Sequence, residues 1–203
     1  MTSRIQNDSL EKISSEVRGC PLCKLSRTRK NAVAGEGLPS AKIMFIGEAP
    51  GKNEDEQGKP FVGYAGKILE KALTKAGIKR SEVFITNVVK CRPPNNRVPE
   101  PDERSACRPY LNRQISVVSP KVICILGSTA YASLLGGRSI TLDRGKIKEK
   151  YGQRFFLTIH PAAAIYNKAL RSVLERDLST LKRELQKING QSINTLLDYT
   201  QTR

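Results

Sequence analysis

Four short apolar runs constrain this chain more than any other feature. They are Lys42-Ile43-Met44-Phe45-Ile46, Val83-Phe84-Ile85-Thr86, Val122-Ile123-Cys124-Ile125-Leu126 and Arg154-Phe155-Phe156-Leu157-Thr158-Ile159. Each is too short for a buried helix and rich in β-branched or aromatic residues, so each reads as a buried strand. Stretches of helical periodicity separate or follow them. Ala65, Ile68, Leu69, Ala72, Leu73 and Ala76 form one, with Gly77 placed to cap it. Leu170, Leu174, Leu178, Leu181, Leu185 and Ile188 form another. Strands alternating with amphipathic helices predict a parallel sheet covered on both faces.

At 203 residues the chain is expected to form a single domain over 1–203, with its core at about 8–188. A first short helix is expected from about Asp8 to Val17, ended by Gly19. Lys52 to Lys59 has no periodicity and reads as a loop. Pro99 to Glu103 resembles a helix start, and Pro109 suits the first residue of a following helix better than an interior position. Ser128 or Thr129 is expected to cap the helix after the third strand, whose N-terminus would suit a phosphate. Residues 190–203 are polar and are expected to be a mobile tail.

Ligands of open parallel sheets bind beyond the carboxyl ends of the strands. Here those ends carry Gly47-Glu48-Ala49-Pro50-Gly51, Asn87, Gly127-Ser128 and His160-Pro161, with His160 the only histidine. The first is a tight corner that aims backbone N–H groups and one carboxylate above the strand. Asn87 is either a turn-former or a recognition amide. Phe61, in the Pro60–Gly63 loop, is either a stacking platform or a core plug. Four polar strand ends on one edge make a site.

Lys and Arg number 35 against 19 Asp and Glu, a net charge of +16. Such a charge points to a polyanionic partner, nucleic acid first. The absence of a long apolar run argues against a membrane span or signal peptide and points to a cytoplasmic protein. Five cysteines in such a chain argue against a disulfide framework. Cys20 and Cys23, three positions apart, can grip one metal centre from a single turn. Cys91 and Cys107 are a distant second pair, and Cys124 lies inside an apolar strand as a core residue.

From about Gly19 to Leu185 the chain resembles the family-4, iron–sulfur type of uracil-DNA glycosylase, common in thermophilic microbes. Gly47-Glu48-Ala49-Pro50-Gly51 looks like its first motif and His160-Pro161-Ala162-Ala163 like its second. The resemblance implies a three-layer α/β/α sandwich on a central four-stranded parallel sheet. It makes Cys20, Cys23, Cys91 and Cys107 the ligands of a 4Fe-4S cluster, with zinc the rival occupant of four thiolates. It places Gly47, Glu48, Ala49, Glu54, Phe61, Asn87 and His160 around uracil.

The implied reaction is hydrolysis of the bond between uracil and deoxyribose in DNA, after the nucleotide has been flipped into a pocket. Asn87 would read N3–H and O4, Phe61 would stack, and His160 would stabilise charge on the leaving base. Glu54 would close the pocket near uracil C5. Ala49 cannot polarise water, which leaves Glu48, Asn96 or leaving-group stabilisation alone. Arg92, Arg97, Ser128 and Ala163 are the expected DNA contacts. Residues Ala162 to Tyr166 are either a wedge into the base stack or an ordinary connection. A sliding clamp is a candidate further partner, through the tail, and a monomer is the expected state. The competing reading is a non-catalytic, metal-stabilised nucleic-acid-binding module.

Overall fold

The computed structural model describes residues 8–200, with side chains for 8–190. In chain order the main elements are α1 (Leu10–Gly19), β1 (Glu36–Gly37), β2 (Ile43–Gly47), α2 (Lys52–Gln57), α3 (Tyr64–Lys75), β3 (Phe84–Asn87) and α4 (Pro101–Val118). Then follow β4 (Val122–Leu126), α5 (Ser128–Leu135), α6 (Ile140–Asp143), β5 (Ile147–Lys150), β6 (Gln153–Thr158), α7 (Ala163–Tyr166) and α8 (Ala169–Thr200).

The four expected strands form the parallel centre of the sheet, paired β3-β2-β4-β6. Two further strands extend it to six, β1 antiparallel to β3 and β5 antiparallel to β6. Neither is an apolar run, so neither is visible as a buried strand in the sequence. β1 has only two residues, and β5 carries Lys148, Glu149 and Lys150.

Alternation along the central strands divides the core into two layers. Met44, Ile46, Phe84, Ile123, Ile125 and Leu157 pack with Ile13 and Val17 of α1, Leu111 of α4 and Tyr131 of α5. Phe45, Ile85, Cys124, Leu126 and Phe156 pack on the other face with Leu69 and Leu73 of α3 and Leu174, Leu178 and Leu181 of α8. The helices therefore lie on both faces, and Cys124 is the buried core residue expected of it. Among the described residues, no helix is long and apolar enough to cross a membrane.

Several local expectations are corrected. Lys52–Gln57 is a helix, not a loop. Gly51 precedes it, Gly58 ends it at φ 69°, and Glu54 at its third position accepts the Gly51 N–H. That bond, the glutamate half of a capping box, holds a turn that has no amphipathic period. Pro109 lies inside α4 rather than at a helix start. The bond it removes would reach Ser105, and both residues are exposed, so water can take the freed carbonyl. The N-cap of α5 is Gly127, and Ser128 is its first helical residue. The polar stretch after Gly190 continues α8 as far as Thr200, and the side chains of the expected tail lie outside the described residues.

The loop carrying Phe61 is fastened at three places. Both Val62 and Gly63 N–H groups donate to Glu54 Oε1, at 2.9 and 2.8 Å. Arg80 donates to the Pro60 carbonyl at 2.7 Å. Gly66, on α3, sits so close that an added Cβ would lie 1.9 Å from the Phe61 carbonyl oxygen. These contacts hold Phe61 at φ 52°, a backbone region that costs an aromatic residue about 1–3 kcal/mol. A helical Gly→Ala change ordinarily stabilises by about 1 kcal/mol. Here Gly66→Ala is expected to lower the melting temperature instead, because backbone must move; a rise in a thermal melt would show the contact to be loose.

Candidate active site and four-cysteine cavity

The register of the sheet sets Gly47 directly beside Asn87, at the carboxyl ends of β2 and β3. Ladder-like bonds continue past the strands, from Val88 N–H to the Gly47 carbonyl and from Val89 N–H to the Glu48 carbonyl. An added Cβ on Gly47 would lie 2.5 Å from Asn87 Oδ1 and 2.7 Å from Phe61 Cζ. Only a glycine lets the amide and the ring close over the strand end.

A cavity of about 370 Å³ opens there. Glu48, Ala49, Glu54, Phe61, Asn87, Asn96, Arg97 and His160 all line it, so most of the residues expected around a base are brought together. Pro50 and Gly51 of the first corner and Ala162 of the second motif also line it, as do Ala65 and Pro93, which were not expected there. Phe61 packs in the core layer of α3 and α8 and also lines the cavity.

Asn87 is 1% exposed, and its Oδ1 is a buried acceptor with no hydrogen-bond partner among the described residues. Leaving such an atom unpaired costs about 1–3 kcal/mol. His160 stands across from it on the chain after β6. Its ring centroid is 5.7 Å from that of Phe61, tilted by 32°. Gly127 backs the histidine closely, 2.8 Å from its Cβ to where a glycine side chain would begin. Burial pushes the His160 pKa down to about 4, opposed by the nearby Glu54 carboxylate. The Ala162 N–H donates to its Nδ1 at 3.2 Å. The neutral ring thus carries its proton on Nε2.

Glu54 is occupied as a clamp. Its two oxygens accept three backbone N–H groups, from Gly51, Val62 and Gly63. Nothing in the sequence signalled that role except its place three residues after a glycine N-cap.

The loop between Cys91 and Pro101 carries Asn96 in the left-handed region, φ 53°, which asparagine tolerates well. Arg92 Nε donates to Asn96 Oδ1 at 2.8 Å and fixes the amide. Arg97 was expected against the DNA backbone. Its guanidinium grips the buried Glu103 carboxylate with both nitrogens, at 2.8 and 2.6 Å, and Val98 O at 3.1 Å. That pairing holds the Glu103 carboxyl below its ordinary pKa. Ser128 and Ala163 face elsewhere than the first cavity. They line a second one, of about 320 Å³, that also reaches His160. Tyr166, at the end of α7, is 92% exposed.

Cys20, Cys23, Cys91 and Cys107 line one small cavity together with Arg29, Lys90 and Tyr110. Arg29 donates to Cys91 Sγ at 3.0 Å and the Lys90 N–H to Cys107 Sγ at 3.4 Å. Burial raises both thiol pKa values, that of Cys107 to about 11. Among the described residues no three His, Cys, Asp or Glu side chains are grouped so as to hold a single metal ion.

Comparison with known proteins bears on this geometry directly. Residues 34–186 match the model of the uracil DNA glycosylase superfamily. A type-4 uracil-DNA glycosylase of Sulfurisphaera tokodaii is 55% identical over 86% of this chain and 84% of its own. The chain belongs to the type-4 uracil-DNA glycosylases. Similar proteins of that description occur in Saccharolobus solfataricus, 50% identical over 88% of this chain and 87% of theirs, and in Thermotoga maritima, 41% identical over 90% and 97%. A type-4 glycosylase in this fold thus sets Asn87, a neutral histidine and a strained phenylalanine around one cavity.

With one histidine in the chain, its titration can be followed without ambiguity. The folded-state pKa near 4 lies below the ordinary value of 6.5. The unfolded chain therefore binds the proton first as pH falls. His160 is expected to leave stability unchanged above pH 6.5 and to erode it between 6.5 and 4. Proton NMR of the imidazole should show a midpoint near 4, and a midpoint at 6.5 would mean that the ring is solvated.

Proposed function

We infer that this uracil-DNA glycosylase, an enzyme of DNA repair, selects its base through Asn87. The observation that carries the reading is the unpaired, buried Asn87 Oδ1 at the cavity wall. Uracil presents an N3–H donor there, and its O4 would accept from the amide nitrogen. Cytosine has no hydrogen on N3 and an amine in place of O4, so the same amide discriminates against it. The nucleotide must leave the base stack to reach the cavity, and the Ala162–Tyr166 segment is the proposed wedge. Phe61, locked in its strained loop, provides a fixed surface for the ring.

Cleavage leaves negative charge on the departing base, largely at O2. The neutral His160 Nε2–H and the backbone N–H groups at the Gly47–Glu48 corner are the proposed donors to it. A neutral donor needs no counter-ion in a buried site. Asn96, with its amide oriented by Arg92, is the proposed holder of the water, and Glu48 is the carboxylate at the same cavity. Asn96 can position a water molecule but not deprotonate it, so leaving-group stabilisation carries much of the barrier. Of the expected DNA contacts, Arg92, Ser128 and Ala163 remain proposals; Arg97 is better understood as holding the loop to α4.

The four cysteines fit an iron–sulfur cluster by donor chemistry: four thiols around one cavity, with N–H donors already aimed at two of the sulfurs. When bound, a 4Fe-4S cluster would cross-link α1, the Asn96 loop and α4, since hydrolysis transfers no electron. Anaerobically purified protein is expected to absorb broadly near 400 nm. Cys107→Ser should remove that absorption and lower stability, while Cys124→Ser should leave it. Stoichiometric zinc in colourless protein would overturn the iron assignment.

The test of base reading is single-turnover cleavage of oligonucleotides carrying one uracil or one cytosine. Wild type should release uracil alone, and Asn87→Ala should lose about 10²-fold in rate. Asn87→Asp should also lose uracil cleavage, because its carboxylate repels O4. Uracil cleavage at wild-type rate in both variants would remove Asn87 from recognition. No cleavage by the wild type would favour the binding module.

A further inference from the structure

A lysine whose side chain has no role in the chemistry above is buried beside the site. Lys90 is 1% exposed, yet every hydrogen of its ammonium group is used. Nζ donates to Thr86 Oγ1 at 2.6 Å, to Gln114 Oε1 at 2.7 Å and to the Asn87 backbone carbonyl at 2.8 Å. The acceptors are themselves tied down. Thr86 Oγ1 and Gln114 Nε2 both donate to the Ala34 carbonyl, at 2.8 and 2.7 Å. The main chain of Lys90 is also fixed, with its carbonyl accepting from Val33 N–H at 2.7 Å and its N–H facing Cys107.

Burying an ammonium group is costly unless it is fully bonded, and a core lysine is a poor choice for stability alone. What the arrangement supplies is position. β3 ends at Asn87; the Val88 N–H of the next peptide still bonds the Gly47 carbonyl, and the Asn87 carbonyl itself accepts from Lys90. The lysine reaches back three residues and fixes it to α4 and to the segment at Ala34. We propose that Lys90 is a positioning residue for base recognition: by holding the Asn87 main chain it sets where the amide points over Gly47. The inference rests on Asn87 being the base reader.

The experiment measures binding of free uracil to the full chain and to four variants, with thermal melts, visible absorption and affinity for abasic-site DNA alongside. Lys90→Met removes the ammonium group but keeps the bulk. Gln114→Leu removes one acceptor and leaves the hold on Asn87. Combining the two removes a polar pair together, which restores stability where a lone unpaired acceptor would not. Lys90→Met is expected to weaken uracil binding about tenfold, the effect of one lost hydrogen bond. Asn87→Ala should weaken it at least as much, and Gln114→Leu should bind as wild type does. The double variant should regain melting temperature but not uracil affinity. It also carries the test if Lys90→Met alone fails to fold. Recovery of uracil affinity together with stability would mean that Lys90 only fills the core. Wild-type uracil affinity in Lys90→Met, with Asn87→Ala impaired, would overturn the role of Lys90 alone. Wild-type affinity in Asn87→Ala would overturn the base-reading assignment and this inference with it.

Discussion

The site depends on one close approach: an amide and an aromatic ring meeting above the bare Cα of Gly47. A parallel register brings Asn87 to that point from β3, and a clamped loop brings Phe61 from the other side. Neither arrangement is relaxed. The amide oxygen gives up hydration without gaining a partner, and the phenylalanine backbone is held in a conformation that favours glycine. The surrounding bonds absorb both costs before any ligand arrives, so binding has little left to organise.

The polar interior follows the same logic. The buried charges are not scattered through the core but stand where a loop or strand end needs fixing. Asp55 accepts the N–H groups of Lys30 and Asn31, tying α2 to the segment before β1. Glu103 binds Arg97 and the Glu100 N–H at the start of α4. Asp177 accepts from Thr158 and Arg144 at the end of β6, two residues before His160. Each places a carboxylate at backbone or guanidinium donors near the cavity edge of the sheet, where irregular chain would otherwise be free to move.

Much of this was legible in the sequence. The central strands announce themselves as apolar runs, and their polar last residues mark the site, because burial and strand polarity are written locally. Less local features were hidden. β1 and β5 lack apolar runs because they lie at the edges, where one side meets solvent. α2 is held by end-capping rather than by an apolar face. Arg97 looked like a surface cation because its partner is a glutamate six residues away, on the first turn of the next helix. Lys90 left a trace, a lysine in the apolar sequence Val88-Val89-Lys90-Cys91, but sequence alone does not tell a buried ammonium from a strand end turning outward.

The two edge strands also bear on how the molecule meets others of its kind. An open sheet leaves a row of unpaired N–H and C=O groups along each side, a template for joining another chain. Here one side ends in a two-residue strand closed by Gly37, whose Cα lies too near the Val83 carbonyl to admit a side chain. The other ends in a strand bearing lysines on either side of a glutamate. A short border on one flank and a charged one on the other discourage edge-to-edge aggregation between copies of the chain.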